Sequence, residues 1–76
     1  MLRITPVKTS KIKKLLERHG WVKDRQNGSH IAYIKDNEPR PIIVIDESET
    51  DKWLVKQIMG RLNLSKHHFY QEIRKL

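Results

Sequence analysis

Asn27-Gly28 is the feature that most narrows what this chain can become. Both residues tolerate the positive φ of a tight turn, so the pair marks a hairpin and demands a strand on each side. The run that follows, Ile31-Ala32-Tyr33-Ile34, is apolar and aromatic and reads as a strand over residues 30–35. Residues 21–26 form the partner strand, anchored by Trp21 and Val22, although Lys23, Asp24, Arg25 and Gln26 are polar. His30 stands where the turn hands over to the second strand. A rigid element that presents an imidazole at its rim is suited to proton transfer. Taken alone, His30 is better read as an ordinary polar residue of a hairpin.

The segments around this hairpin are read from caps and periodicity. Pro6 disfavours helix at Thr5, so residues 1–8 are an extended lead-in. Thr9 and Ser10 offer N-caps for a first helix, in which Ile12, Leu15, Leu16 and His19 recur at helical spacing as one buried face. Lys11, Lys14 and Arg18 share a second, basic face, and Gly20 supplies the left-handed stop. After the hairpin, residues 36–40 are a second turn, and Pro41-Ile42-Ile43-Val44-Ile45 is a third strand by its β-branched run. That strand is apolar throughout, so the alternation does not assign its faces. Residues 46–51 are acidic and precede a helix, where carboxylates complement the dipole and Ser48, Glu49 or Thr50 is placed to cap. Leu54, Val55, Ile58 and Leu62 give this second helix its apolar face; Lys52 and Lys56 lie elsewhere on it. Ser65 caps a third helix with Phe69, Ile73 and Leu76 as its stripe. The order is α-β-β-β-α-α. It predicts an α+β domain over residues 1–76, a three-stranded antiparallel sheet with helices on one face.

Charge and composition limit the function. In 76 residues there are 16 Lys and Arg against 9 Asp and Glu, a formal +7 with histidines neutral. So small a chain buries a modest core and has no room for a deep enclosed site, while its basic excess calls for a polyanionic partner, most simply nucleic acid. No apolar run reaches the length of a membrane span, no signal-peptide core opens the chain, and there is no cysteine; a cytosolic compartment is the default. Phosphate contacts are expected from Lys11, Lys14 and Arg18 on the first helix and from Lys23, Arg25, Lys35 and Arg40 on or beside the sheet. A merely solvated basic surface is the plain alternative. No cofactor motif or metal site is recognised: adjacent His67 and His68 point about 100° apart on a helix, and the acidic loop lacks the glycine of a calcium loop.

Leu15-Leu16-Glu17-Arg18-His19-Gly20-Trp21, then Arg25-Gln26-Asn27-Gly28-Ser29-His30 and Tyr33, resembles the HicA family of bacterial and archaeal toxins. That family's pattern is an amphipathic helix closed by Gly and an aromatic, an Arg, then Gly-Ser-His with an aromatic soon after. The likeness extends to Arg3-Ile4-Thr5-Pro6-Val7, to Leu54, Ile58 and Leu62, and to Leu64-Ser65 followed by Phe69. It implies a fold like the double-stranded-RNA-binding domain, α-β-β-β-α with a further C-terminal helix. It also implies a metal-independent endoribonuclease that cleaves mRNA, with the family's catalytic histidine mapping onto His30. The implied partner is a HicB antitoxin that covers the active surface. Many members carry Val-Pro-His or similar after the third strand, where this chain has Val44-Ile45-Asp46-Glu47-Ser48.

The implied chemistry uses the ribose 2′-hydroxyl as nucleophile and His30 as general acid or base. Arg25 or Lys35 would stabilise charge on the phosphorane, and Gly28 and Ser29 would admit a phosphate close to the backbone. Two other functions are compatible with the same topology: a non-catalytic RNA-binding module, and an inactive toxin that still binds its antitoxin. RNA-binding modules of this type usually grip phosphates with a Lys-rich cluster at the start of the last helix, where this chain offers only Lys52 and Lys56.

Overall fold

The computed structural model describes residues 3–76; Met1 and Leu2 of the expected lead-in lie outside it. The elements follow as β1 (Val7–Lys8), α1 (Thr9–Arg18), β2 (Val22–Asn27), β3 (His30–Ile34), β4 (Ile42–Ile45), β5 (Glu49–Thr50), α2 (Lys52–Arg61) and α3 (Lys66–Arg74). β2, β3 and β4 form the expected antiparallel meander, with β3 in the middle. Two short strands that local pattern does not reveal, β1 and β5, pair with each other across the starts of α1 and α2. No helix among the described residues is long and apolar enough to cross a membrane.

The helices cover one face of the sheet. Ile12, Leu15 and Leu16 of α1, Val55, Ile58 and Met59 of α2, and Phe69 and Ile73 of α3 bury against Ile31, Tyr33, Ile42 and Val44. Each such side chain contributes about 1.5–3 kcal/mol relative to exposure, so this single layer is the main stabilising term. Leu16→Ala would remove a fully buried side chain from its centre, at a cost of about 2–5 kcal/mol.

Helix ends are closed by local chemistry. The α1 chain ends in a Schellman arrangement: Gly20, at φ +87°, donates to the Glu17 carbonyl at 3.1 Å and Trp21 to the Leu16 carbonyl at 2.9 Å. α2 ends the same way with Asn63 at φ 56° in the left-handed position. Ser65 caps α3, accepting from the His68 amide at 3.2 Å, as expected.

Several expectations are corrected. Thr9 and Ser10 are the first residues of α1 rather than its caps. Thr9 is buried, and its hydroxyl shares a 2.9 Å hydrogen bond with that of buried Thr50, because the β1–β5 pair brings the two helix starts together. Thr50 is thereby committed inward, and Asp51 caps α2 instead, accepting from the Trp53 and Leu54 amides at 2.9 and 3.0 Å. Trp21 is a core residue, but Val22 points to the uncovered side and is exposed. His19 is half-buried and bonds Glu72 of α3 at 2.9 Å, so it joins two helices rather than completing the α1 core face.

Candidate active site

The hairpin differs from the expected one in a detail that places His30. Asn27 pairs directly with His30, so the two loop residues are Gly28 and Ser29, and only Gly28 takes a positive φ, 63°. A two-residue loop with glycine first is the type II′ pattern, whose twist matches the strands it joins. His30 is therefore the first paired residue of β3.

Alternation along β3 then sets its face. Ile31 and Tyr33 are buried under the helices, so His30, Ala32 and Ile34 point to the uncovered face. On β4 the ambiguity of the all-apolar run is resolved the same way: Ile42 and Val44 go inward, while Ile43 and Ile45 stand opposite Ala32 and His30 on the uncovered face. Asp46 donates its amide to the Ser29 carbonyl at 2.7 Å, which makes His30 and Ile45 a non-hydrogen-bonded pair with closely spaced side chains.

The basic residues of β2 divide between the two faces. Lys23 opposes Tyr33 and Arg25 opposes Ala32, with the register shifting between them. A bulge of this kind inserts one residue, so Lys23 and Arg25 fall on opposite faces although two positions apart. Arg25 and Asn27 join His30, Ala32 and Ile43 around a shallow depression of about 500 Å³. Lys23 points to the helix side, where it donates to the Gln26 side chain at 3.1 Å. Ile43, 39 % exposed, lies beside the imidazole, and towards the other end of the uncovered face the paired Ile34 and Val22 are 42 and 58 % exposed.

The remaining expected contacts are dispersed. Gly28 and Ser29 form the turn beside His30. Lys35 packs its stem against Gly20, five residues along the chain from His30, about 17 Å at a strand's rise. Arg40 is in the β3–β4 turn at that same far end, where its carbonyl accepts from Arg61. Lys11, Lys14 and Arg18 lie on α1, which packs on the opposite, helix-covered side of the sheet. The structure thus brings Arg25, Gly28 and Ser29 to His30 and leaves the other six elsewhere on the surface.

Two residues near His30 were not anticipated. Asp46, expected to serve the helix dipole, is instead a clamp on the hairpin. Its carboxylate accepts from Lys13 at 3.3 Å and from the Gln26 amide at 3.2 Å, and the same Gln26 amide donates to the Gly28 carbonyl at 3.0 Å. Those hydrogen bonds, Lys13 first, hold the Asp46 carboxyl below its usual range. Nothing within a single sequence pairs residues twenty positions apart. The second is Trp53, 68 % exposed on α2, which shares a groove of about 470 Å³ with His30. A tryptophan outside the apolar stripe of Leu54, Val55, Ile58 and Leu62 is a signal the sequence does carry.

A family model described as the HicA toxin of bacterial toxin–antitoxin matches residues 9–64, which span α1 to the end of α2 and include the whole hairpin. The chain belongs to the HicA toxin family. Membership makes it the toxin of a toxin–antitoxin pair, whose family partner is generally a HicB antitoxin. No curated protein and no solved structure matches it. In this HicA chain the matched segment carries Gly28-Ser29-His30, whereas Arg3 to Val7 and Phe69, which also resemble family members, lie outside the match. Among the described residues no group of three or more His, Asp or Glu side chains is arranged to hold a metal ion.

Proposed function

We propose that this HicA toxin is an endoribonuclease that cleaves mRNA without a metal ion, and that His30 moves the proton. The observation that carries the proposal is the placement of His30: exposed, on the uncovered face, at the clamped end of a hairpin, with Arg25 on the same face. Residues at such diagonal cross-strand positions lie about 7–8 Å apart, their Cβ atoms somewhat closer, a gap that a phosphate bridges. His30 takes the proton of a ribose 2′-hydroxyl as its oxygen attacks the adjacent phosphorus. The bond from phosphorus to the 5′-oxygen breaks, and that oxygen leaves with a proton from water. Arg25 offsets the charge that develops on the non-bridging oxygens. A general base of this kind supplies about 10²–10⁴-fold. With no second histidine on this face, the enzyme is expected to be slow.

The partner acts on the same surface. An antitoxin that inhibits by occlusion covers His30, and the exposed Val22, Ile34 and Ile43 give it an apolar face to bury.

The test is RNA cleavage by purified wild-type, His30→Ala, His67→Ala and His68→Ala proteins, with a chelator present and melting curves alongside. Because His30 is exposed, its replacement is expected to change stability by no more than about 0.5 kcal/mol. Cleavage by His30→Ala is expected to vanish, RNA binding to survive, and both α3 variants to remain active. A folded His30→Ala at full activity, or wild-type activity abolished by the chelator, would overturn the proposal.

A further inference from the structure

His30 borders a second cavity besides the depression it shares with Arg25. α2 runs beside β4, and its residues Trp53, Gln57 and Arg61, each four apart, lie on one helical face directed into a groove that His30, Ile43 and Ile45 close from the sheet. The Lys52 ammonium stands 5.5 Å from the Trp53 ring centroid. Arg61 is already engaged: it donates to the Pro41 carbonyl at 3.1 Å and to that of Arg40, and lies 5.3 Å from the ring of buried Trp21. It fixes α2 to the start of β4 and so sets the width of the groove. What remains is an aromatic ring with the Lys52 ammonium over one face, an exposed carboxamide one turn further on, and Asp51 at the start of α2, whose carboxylate is held by the Trp53 and Leu54 amides.

That arrangement has the chemistry of a nucleobase site. We infer that Trp53 is a stacking platform for one base of single-stranded RNA, adjoining the nucleotide whose phosphate lies between His30 and Arg25. The inference rests on the endoribonuclease reading and adds to it the residue that holds the neighbouring nucleotide. Every base has a π-face, and an aromatic side chain beside a cation is a common means by which proteins hold unpaired RNA. Gln57 supplies a donor and an acceptor to a base edge. Continuity with His30 places the groove on the path of the strand, and the basic charge of the chain favours a polyanionic partner.

A strand from a partner protein, added to the β4 edge, is the competing occupant, and the edge is poorly prepared for it. Strand addition needs a row of free backbone groups. The ladder register turns the groups of Pro41, Ile43 and Ile45 outward; Pro41 has no N–H, its carbonyl is taken by Arg61, and that of Ile45 accepts from Glu47 at 2.8 Å. Among the described residues of this edge, Ile43 alone keeps both its donor and its acceptor.

The two tryptophans make the test direct, because Trp21 is 2 % exposed and Trp53 is 68 % exposed. A mixed-sequence 2′-O-methyl RNA, which lacks the nucleophile and is not cleaved, is titrated while fluorescence and anisotropy are recorded. Saturable quenching of the exposed tryptophan is expected, parallel to the anisotropy change. Trp53→Leu is expected to weaken binding by about ten- to a hundred-fold and to lower cleavage of the unmodified RNA, while Trp53→Phe retains affinity but loses the quench. Anisotropy that shows binding without quenching, or a Trp53→Leu protein with undiminished affinity, overturns the inference while leaving the His30 assignment standing. Quenching by a purified antitoxin but not by RNA assigns the groove to the protein partner and equally overturns it. Absence of any RNA binding at low salt removes both this inference and the endoribonuclease reading.

Discussion

Lys23→Gln and Arg25→Gln change the charge of the same strand equally, two positions apart, yet they should have very different consequences for cleavage. Arg25 is on the face of His30, so in the proposed reaction its loss would remove a donor to the developing phosphorane charge; loss of one such donor costs about 10²–10³-fold in rate, or about 2.7–4 kcal/mol. Lys23 is on the other face, bonded to Gln26. Its influence on the reacting phosphate is only a long-range Coulomb term, about 0.4 kcal/mol for unit charges 10 Å apart in water and less once salt screens it, below a twofold effect. Both residues are exposed, so melting temperatures should hardly move, with stability within about 0.5 kcal/mol of wild type. The assay is single-turnover cleavage of one RNA by the three proteins, with affinity measured across a salt series. Arg25→Gln should also flatten the dependence of log K on log salt by about 0.7, the value of one single-strand phosphate contact. Equal losses for the two variants, or the greater loss for Lys23→Gln, would refute the bulge as the device that sorts the two cations.

The Asp46 clamp carries a pH dependence. Its carboxyl titrates below the ordinary 3.8 in the folded protein, so its contribution is complete above that value and is lost as pH falls through the lower folded value. Asp46→Asn should therefore lose less stability than wild type on acidification through that window, measured by melting at stepped pH, and identical profiles would contradict the clamp. For the antitoxin, hydrogen exchange should show protection of β2 and β3 amides on complex formation. Protection confined to α3 would contradict occlusion of His30.

The hairpin that carries the candidate site is legible in the order of the residues alone. His30 stands out because a turn signal, a strand signal and a family pattern converge on one short stretch, and each depends only on neighbouring residues. The basic surface is legible as a charge sum but not as a geometry. Of nine cations and turn residues expected to contact RNA, only Arg25, Gly28 and Ser29 adjoin His30. Lys11, Lys14 and Arg18 go to the helix side because the apolar face of α1 must bury against the sheet.

Elements whose causes are local follow from neighbouring residues. Ile12, Leu15 and Leu16 make α1 amphipathic, Gly20 can adopt the φ that ends it, Ser65 caps α3, and Gly28 allows the tight hairpin. Features that depend on pairing between distant segments are set by the packing of the whole fold. Ile42 and Ile43 are chemically alike, and burial under the helices chose which one turned inward. Thr9 is a good N-cap by type, yet the β1–β5 pair drew its hydroxyl to Thr50. Asp46 met Lys13 and Gln26 because the third strand returns alongside the first helix. The bulge in β2 is the sharpest case. Alternation has a period of two, so one inserted residue reverses every face beyond it, and that insertion is defined by the register against β3 rather than by the residues of β2 alone.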